Sequence, residues 1–339
     1  MRWRARHSWL LVGVSVALAV IVVSVALVTG NDASSQLIAF PVFVSEHPPR
    51  AHVDVVAMDG TGRGRLTRSA RSGLPAWSPG GQRLAFVAWG RSNEIRVSEA
   101  DGSHELRVTH GHYDAYPAWS PDGRRIAFLR EGSGIAVVSA DGSDAHVIAT
   151  AVHPFGPLRW APDGRRLAYS MLLGRSLVVV IVDTAGAGFR RVLTAGAEPD
   201  WAPDGQRLAV VTPRAALHEI DVMKADGSHR RRVSNPSIAS QNAGPAWSPD
   251  GRWIAFECGD ELCVVRPDGR GQRVLTHGAF ATDGPSWSPD GTLIAYQEVD
   301  REHGVGYLAV IRPDGTRRKR LAQTDGSTFV PTWRPPTER

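Results

Sequence analysis

Trp119-Ser120-Pro121-Asp122-Gly123 recurs with small changes from Trp77, Trp160, Trp201, Trp247 and Trp287 at intervals of 40–46 residues, and Trp333-Arg334-Pro335 begins a seventh copy. This spacing constrains the fold more than any other feature, because tight turns at a fixed period call for hairpins. Proline presets φ for the second turn position, aspartate hydrogen-bonds locally, and glycine accepts the exit conformation. Each turn leads into a short apolar run such as Ile126-Ala127-Phe128-Leu129 or Ile254-Ala255-Phe256, too short for a helix and suited to a buried strand. A third strand follows, such as Ile135-Ala136-Val137-Val138, and ends at a second turn of the Asp141-Gly142 kind. A more polar fourth strand closes the unit, as in Arg273-Val274-Leu275-Thr276. Four antiparallel strands in about 43 residues is the period of a propeller blade. The 35 glycines and 23 prolines among 339 residues agree with so many turns.

Residues 37–67 hold the second, third and fourth strands that the last repeat lacks, so pairing 37–67 with 328–334 closes the ring of an all-β, seven-bladed propeller spanning 37–339. Closure leaves no large exposed sheet edge. Six blades with a loose N-terminal hairpin is the alternative.

The repeated Trp-Ser-Pro-Asp-Gly followed by an Ile/Leu-Ala-Phe/Tyr strand resembles the propeller repeat of the TolB-like family over residues 37–339. The resemblance implies a general binding role, without carrying over the specific partners of any one member of the family. The same repeat occurs in propellers of the prolyl oligopeptidase type, which precede a hydrolase domain that this chain is not expected to carry.

Ahead of the repeats, Trp9 to Val28 is a run without charge, long enough to cross a bilayer core. Arg2, Arg4 and Arg6 precede it, which favours a cytoplasmic segment 1–8, an anchor over 9–28, a linker over 29–36 and an extracytoplasmic propeller. A cleaved signal peptide is the competing reading. With those three arginines set aside, 36 basic residues face 34 acidic ones, so no nucleic-acid partner is expected.

Within such blades the turns between strands one and two and between strands three and four share one face, where their sequence is uniform. The loops between strands two and three and the blade-to-blade connections share the other, and they vary. Variable loops on a rigid scaffold are where specificity is usually carried. His110, His112, Asp114, His277 and Asp283 lie in these connections, where imidazole and carboxylate near a channel mouth could take a divalent metal. Their spacing matches no metal motif, no resident cofactor is expected, and solvated loop groups are the simpler reading. The seven repeat tryptophans read as packing between blades, not as a carbohydrate platform. Arginines at turn exits, such as Arg124-Arg125 and Arg165-Arg166, read as a solvated rim, with contact to an acidic lipid or polymer as the alternative. Cys258 and Cys263 flank a short hairpin loop and are expected to form a disulfide in an oxidising compartment.

No nucleophile elbow, phosphate-binding loop, His-Glu-x-x-His or Cys-x-x-Cys occurs. The expectation is a membrane-anchored, non-catalytic module binding a protein or envelope polymer through the variable face. The alternative is a metal-dependent hydrolase or lyase acting on saccharides through His110, His112 or His277.

Overall fold

The computed structural model describes residues 36–337 apart from 47–48, 70, 151–153, 186–189, 216, 240, 279 and 328. The expected anchor over 9–28 lies outside the described residues, among which no helix is long and apolar enough to cross a membrane.

Seven four-stranded antiparallel sheets follow one another along the chain. Blade I comprises Ser72–Trp77, Arg83–Ala88, Glu94–Glu99 and Leu106–Arg107. Blades II to VI repeat this order behind innermost strands Asp114–Trp119, Pro154–Trp160, Ala197–Trp201, Asn242–Trp247 and Ala281–Trp287. Blade VII joins the two ends of the chain: Thr332–Trp333 pairs with Leu37–Glu46, which is followed by Pro49–Ala57 and Gly64–Arg65. Ile38 stands opposite Trp333 and Ala39 opposite Thr332.

The repeat turn holds itself together. Ser120 Oγ donates to Asp122 Oδ1 at 2.6 Å and accepts from Arg125 N at 2.9 Å, while Gly123 turns left-handed at φ 67°. Ser248 and Ser288 do the same. Blades III and IV carry Ala161 and Ala202 instead of serine, and there Asp163 and Asp204 pair with Arg166 and Arg207 at 2.8 and 2.9 Å. At the outer edge a hydroxyl ties the short fourth strand to the third. Thr67, Thr109, Ser234 and Thr276 accept from the amides of Val53, Ile95, Ile220 and Leu262 at 2.9–3.0 Å. Fourth strands of only two residues in four blades leave little edge for another chain to extend.

The apolar core among the described residues is seven clusters, one between each pair of neighbouring blades. Blade VII packs on blade VI through Phe40, Phe329 and Trp333 and on blade I through Ala39, Val53 and Leu66, so the ring is closed by packing as well as by pairing. The repeat tryptophans are packing elements. Each inserts against the preceding blade, and the indoles of Trp119, Trp160, Trp201, Trp287 and Trp333 donate to that blade's main-chain carbonyls of Ala76, Ala118, Arg159, Ala246 and Ser286 at 2.9–3.0 Å. Trp77 and Trp247 find no such acceptor among the described residues.

The arginine reading needs correction. Of each turn-exit pair only the first member, Arg124 or Arg165, is exposed. The second crosses to the next blade. Arg83, Arg125, Arg166 and Arg207 lie 4.8–5.0 Å over the rings of Trp119, Trp160, Trp201 and Trp247, and Arg125 and Arg166 also donate to the Gly164 and Gly205 carbonyls at 2.9 and 2.7 Å. A guanidinium is planar and weakly hydrated, so it stacks on an indole while keeping its N–H groups free for the turn. Sequence alone could not separate two adjacent arginines whose side chains go to solvent and to a neighbour.

The disulfide is present. Cys258 and Cys263 are bonded with Cα atoms 5.8 Å apart, and both are buried in the cluster between blades IV and V. Replacing both with alanine is expected to lower the unfolding midpoint by a few degrees, since so short a loop contributes about 2 kcal/mol at most. Calorimetry finding no change would show that the bond adds nothing to the fold.

Candidate functional site on the variable-loop face

Nine large apolar side chains are exposed among the described residues. Leu106, Val147 and Val192 are on outermost strands. The other six, Val44, Tyr113, Leu172, Leu173, Ile238 and Val330, all sit where second strands end or where one blade connects to the next. None is at the uniform turns. Scattered exposed apolar residues need no explanation, but confinement to the variable loops of one face does.

Beneath those loops the innermost strands are bulged. In six blades the register slips midway along the first strand. Three residues before the repeat tryptophan the chain turns left-handed in five of them, at Leu74, Tyr116, Glu198, Gly244 and Gly284, with φ of 50–62°. A bulge releases an amide from the ladder, and that amide needs an acceptor. Glu198 N donates to Ser170 Oγ at 2.8 Å, Gly244 N to Glu198 Oε2 at 2.7 Å and Gly284 N to Glu257 Oε1 at 2.8 Å. Phe329 N donates to Gln297 Oε1 at 3.1 Å. Each acceptor comes from the preceding blade. Glycine is required at 284, since an added Cβ would lie 2.4 Å from the Phe329 carbonyl oxygen, whereas at 244 it would lie 2.8 Å from Glu257 Oε1 and displace that carboxyl.

This arrangement gathers Glu198, Glu257 and Asp283 from blades IV, V and VI. Burial, and then the negative charges of Asp283 and Glu198, push the Glu257 carboxyl up to about 8 against the opposing Gly284 amide. Burial also raises Asp283, with Arg301 pulling the other way. Glu257 therefore holds a proton at neutral pH and shares it with Asp283. Nearby, Asp200 pairs with Arg159 at 3.3 Å and accepts from Trp247 N at 2.8 Å. The group can accept hydrogen bonds from a basic or amide-bearing partner and exchange a proton close to neutral pH.

Of the metal candidates, Asp114 is fully buried and committed to its own blade, where Arg130 holds both its oxygens at 3.0 and 3.1 Å. His110 and His112 are exposed on the connection from blade I to blade II, and His277 is exposed on that from blade V to blade VI. Asp283 joins the carboxyl group described above. Among the described residues no three His, Cys, Asp or Glu side chains stand in metal-holding geometry. Sequence reasoning missed Glu198, Asp200 and Glu257. One signal was available: the residue after the aromatic of the second strand is polar in three repeats, at Ser170, Glu257 and Gln297, and apolar in the others.

Residues 130–261 match the family described as TolB beta propeller domain. Over that segment the chain resembles the TolB propeller family. The propeller superimposes on TolB from Acinetobacter baumannii with a TM-score of 0.58 at 19% identity, covering 85% of this chain and 79% of that one. It also resembles oligogalacturonate lyase from Vibrio parahaemolyticus, with TM-score 0.62, 15% identity and coverage of 73% and 76%. A puromycin-hydrolyzing peptidase from Mycobacterium tuberculosis matches with TM-score 0.66 and 16% identity over 86% of this chain and 53% of its own, so this chain spans about half that enzyme's length. At these identities the likeness is one of fold. The sequence matches none of the curated proteins.

Proposed function

We propose that the protein is a non-catalytic binding module that engages a protein partner through its variable-loop face. The observation that carries this reading is the confinement of Val44, Tyr113, Leu172, Leu173, Ile238 and Val330 to that face. Apolar contacts rimmed by polar groups are the usual anatomy of a protein interface, and the carboxyls beneath add hydrogen-bond acceptors at its centre. A propeller held outside the cytoplasmic membrane by residues 9–28 fits the Cys258–Cys263 disulfide, because such bonds persist in oxidising compartments.

The test is affinity capture of the full chain from its native membranes beside a variant carrying Tyr113→Ser, Leu173→Ser and Ile238→Ser. These side chains are exposed, so the variant's unfolding midpoint should match the parent's. A stoichiometric protein held by the parent and lost from the variant is the expected result. Equal recovery from both would move the interface elsewhere. Stoichiometric divalent metal that disappears on replacing His110, His112 and His277 would favour a saccharide hydrolase or lyase.

A further inference from the structure

The opposite face carries an arginine-lined recess. Six residues after the repeat tryptophan, blades I to IV place Arg83, Arg125, Arg166 and Arg207, the arginines that stack on the next blade's indole. Blade V breaks this series with Trp253. Trp253 is half-buried, and two guanidiniums stack over its ring, Arg273 at 4.6 Å and Arg266 at 5.3 Å. Around it opens a recess of about 740 Å³ whose wall includes Arg207, Arg231, Arg252 and Arg266. That volume is in the range of small-molecule sites.

The charges of this recess are poorly matched within the protein. Asp268 is its one acidic wall residue, and that carboxylate caps its own turn at Arg270 N, 3.0 Å away. Arg207 is neutralised by Asp204 at 2.9 Å. Among the described residues Arg252 reaches only Asp250, at 3.8 Å, with both side chains largely exposed. Arg231 donates to the Asp268 main-chain carbonyl, and neither Arg231 nor Arg266 has a carboxylate within ion-pair distance among the described residues. Elsewhere on this face the equivalent arginines are spent on indoles and turn carbonyls. Here tryptophan takes the arginine position, and the recess gathers Arg231, Arg252 and Arg266 without a close carboxylate partner among the described residues.

We infer that this recess binds a phosphate-bearing anion, held by the Arg231, Arg252 and Arg266 guanidiniums against the Trp253 wall. Guanidinium forks match the oxygen spacing of phosphate and form charge-assisted pairs roughly twice as strong as neutral hydrogen bonds. The same chemistry is offered by a soluble phosphate compound and by the headgroup of an acidic phospholipid.

Calorimetric titration of the full chain in neutral detergent at low salt tests the assignment, with inorganic pyrophosphate in one arm and glycerophosphoglycerol, the headgroup of phosphatidylglycerol, in the other. Saturable one-to-one binding is expected in at least one arm, and it should weaken as salt is added. Pyrophosphate alone would identify a soluble ligand, and glycerophosphoglycerol at equal or higher affinity a lipid headgroup. Arg252→Gln combined with Arg266→Gln should weaken binding about tenfold or more, while Arg124→Gln with Arg165→Gln, which removes the same charge from the same face, should leave it within about twofold. Both double variants should keep the parental unfolding midpoint, because all four side chains are exposed. No saturable binding in either arm, or equal losses in the two double variants, would overturn the site.

Discussion

Trp333→Ala is expected to lower the unfolding midpoint by roughly 10 °C, as much as Trp119→Ala does in an uninterrupted blade. Removing a buried tryptophan costs about 3–5 kcal/mol, and a domain of this size loses about 2–4 °C per kcal/mol. The equality of the two effects is the informative part. Trp333 is 5% exposed, packs with Ile38 and Phe40, and donates its indole N–H to Ser286 O at 2.9 Å, the bond that Trp119 makes to Ala76 at 3.0 Å. The next residue extends the closure to blade I, since Arg334 Nε donates to Gly81 O at 2.7 Å and the guanidinium lies 5.5 Å over Trp77. Deleting residues 328–339 removes this set together with Phe329, and should cost more than the single substitution. Thermal unfolding followed by circular dichroism checks both variants. A Trp333→Ala midpoint within about 2 °C of the parent would mean that the C-terminal strand rides on the ring without closing it.

Legibility in the sequence followed the repeat. Period, turns, blade number and the split blade could be read because each depends on residues a few positions apart, and the same pattern recurs until chance is excluded. The arginine clasp recurs with the same period and still escaped, because Arg124 and Arg125 are identical in type and only the bend of the turn decides which one reaches the neighbouring tryptophan. The bulge escaped for another reason. Its left-handed position is filled by Leu74, Tyr116 and Glu198 as well as by Gly244 and Gly284, so no glycine series marks it. The carboxyl group was hardest to foresee. Glu198, Glu257 and Asp283 are spread over three repeats, and only the packing of adjacent blades makes one repeat's side chain the acceptor for the next repeat's amide. Asp283 is legible as a candidate because it lies in a blade-to-blade connection; its neighbour Glu257 lies inside an apolar strand, where a carboxylate looks like an outward-facing residue.

Glu257→Gln is expected to make the protein more stable than the parent at pH 9 and to leave the two nearly equal at pH 5. Burial, Asp283 and Glu198 raise the folded-state Glu257 carboxyl to about 8, above its ordinary value. The folded protein therefore keeps a proton that the unfolded chain gives up. The stability tied to that proton is complete below the ordinary carboxyl value of about 4.3 and is lost as pH rises toward 8, on the order of 3 kcal/mol for a half-buried group. Glutamine has the shape of the protonated acid: its carbonyl can still accept from Gly284 N, its amide can donate to Asp283, and it has no charge to expose. The variant's pH profile should accordingly lack the decline that the parent shows between pH 5 and 8, with a midpoint about 5–10 °C above the parent's at pH 9. Urea denaturation across that range gives the same comparison in free energy. Parallel profiles for parent and variant would show that Glu257 ionises normally in the fold, and that Glu257 and Asp283 do not share a proton.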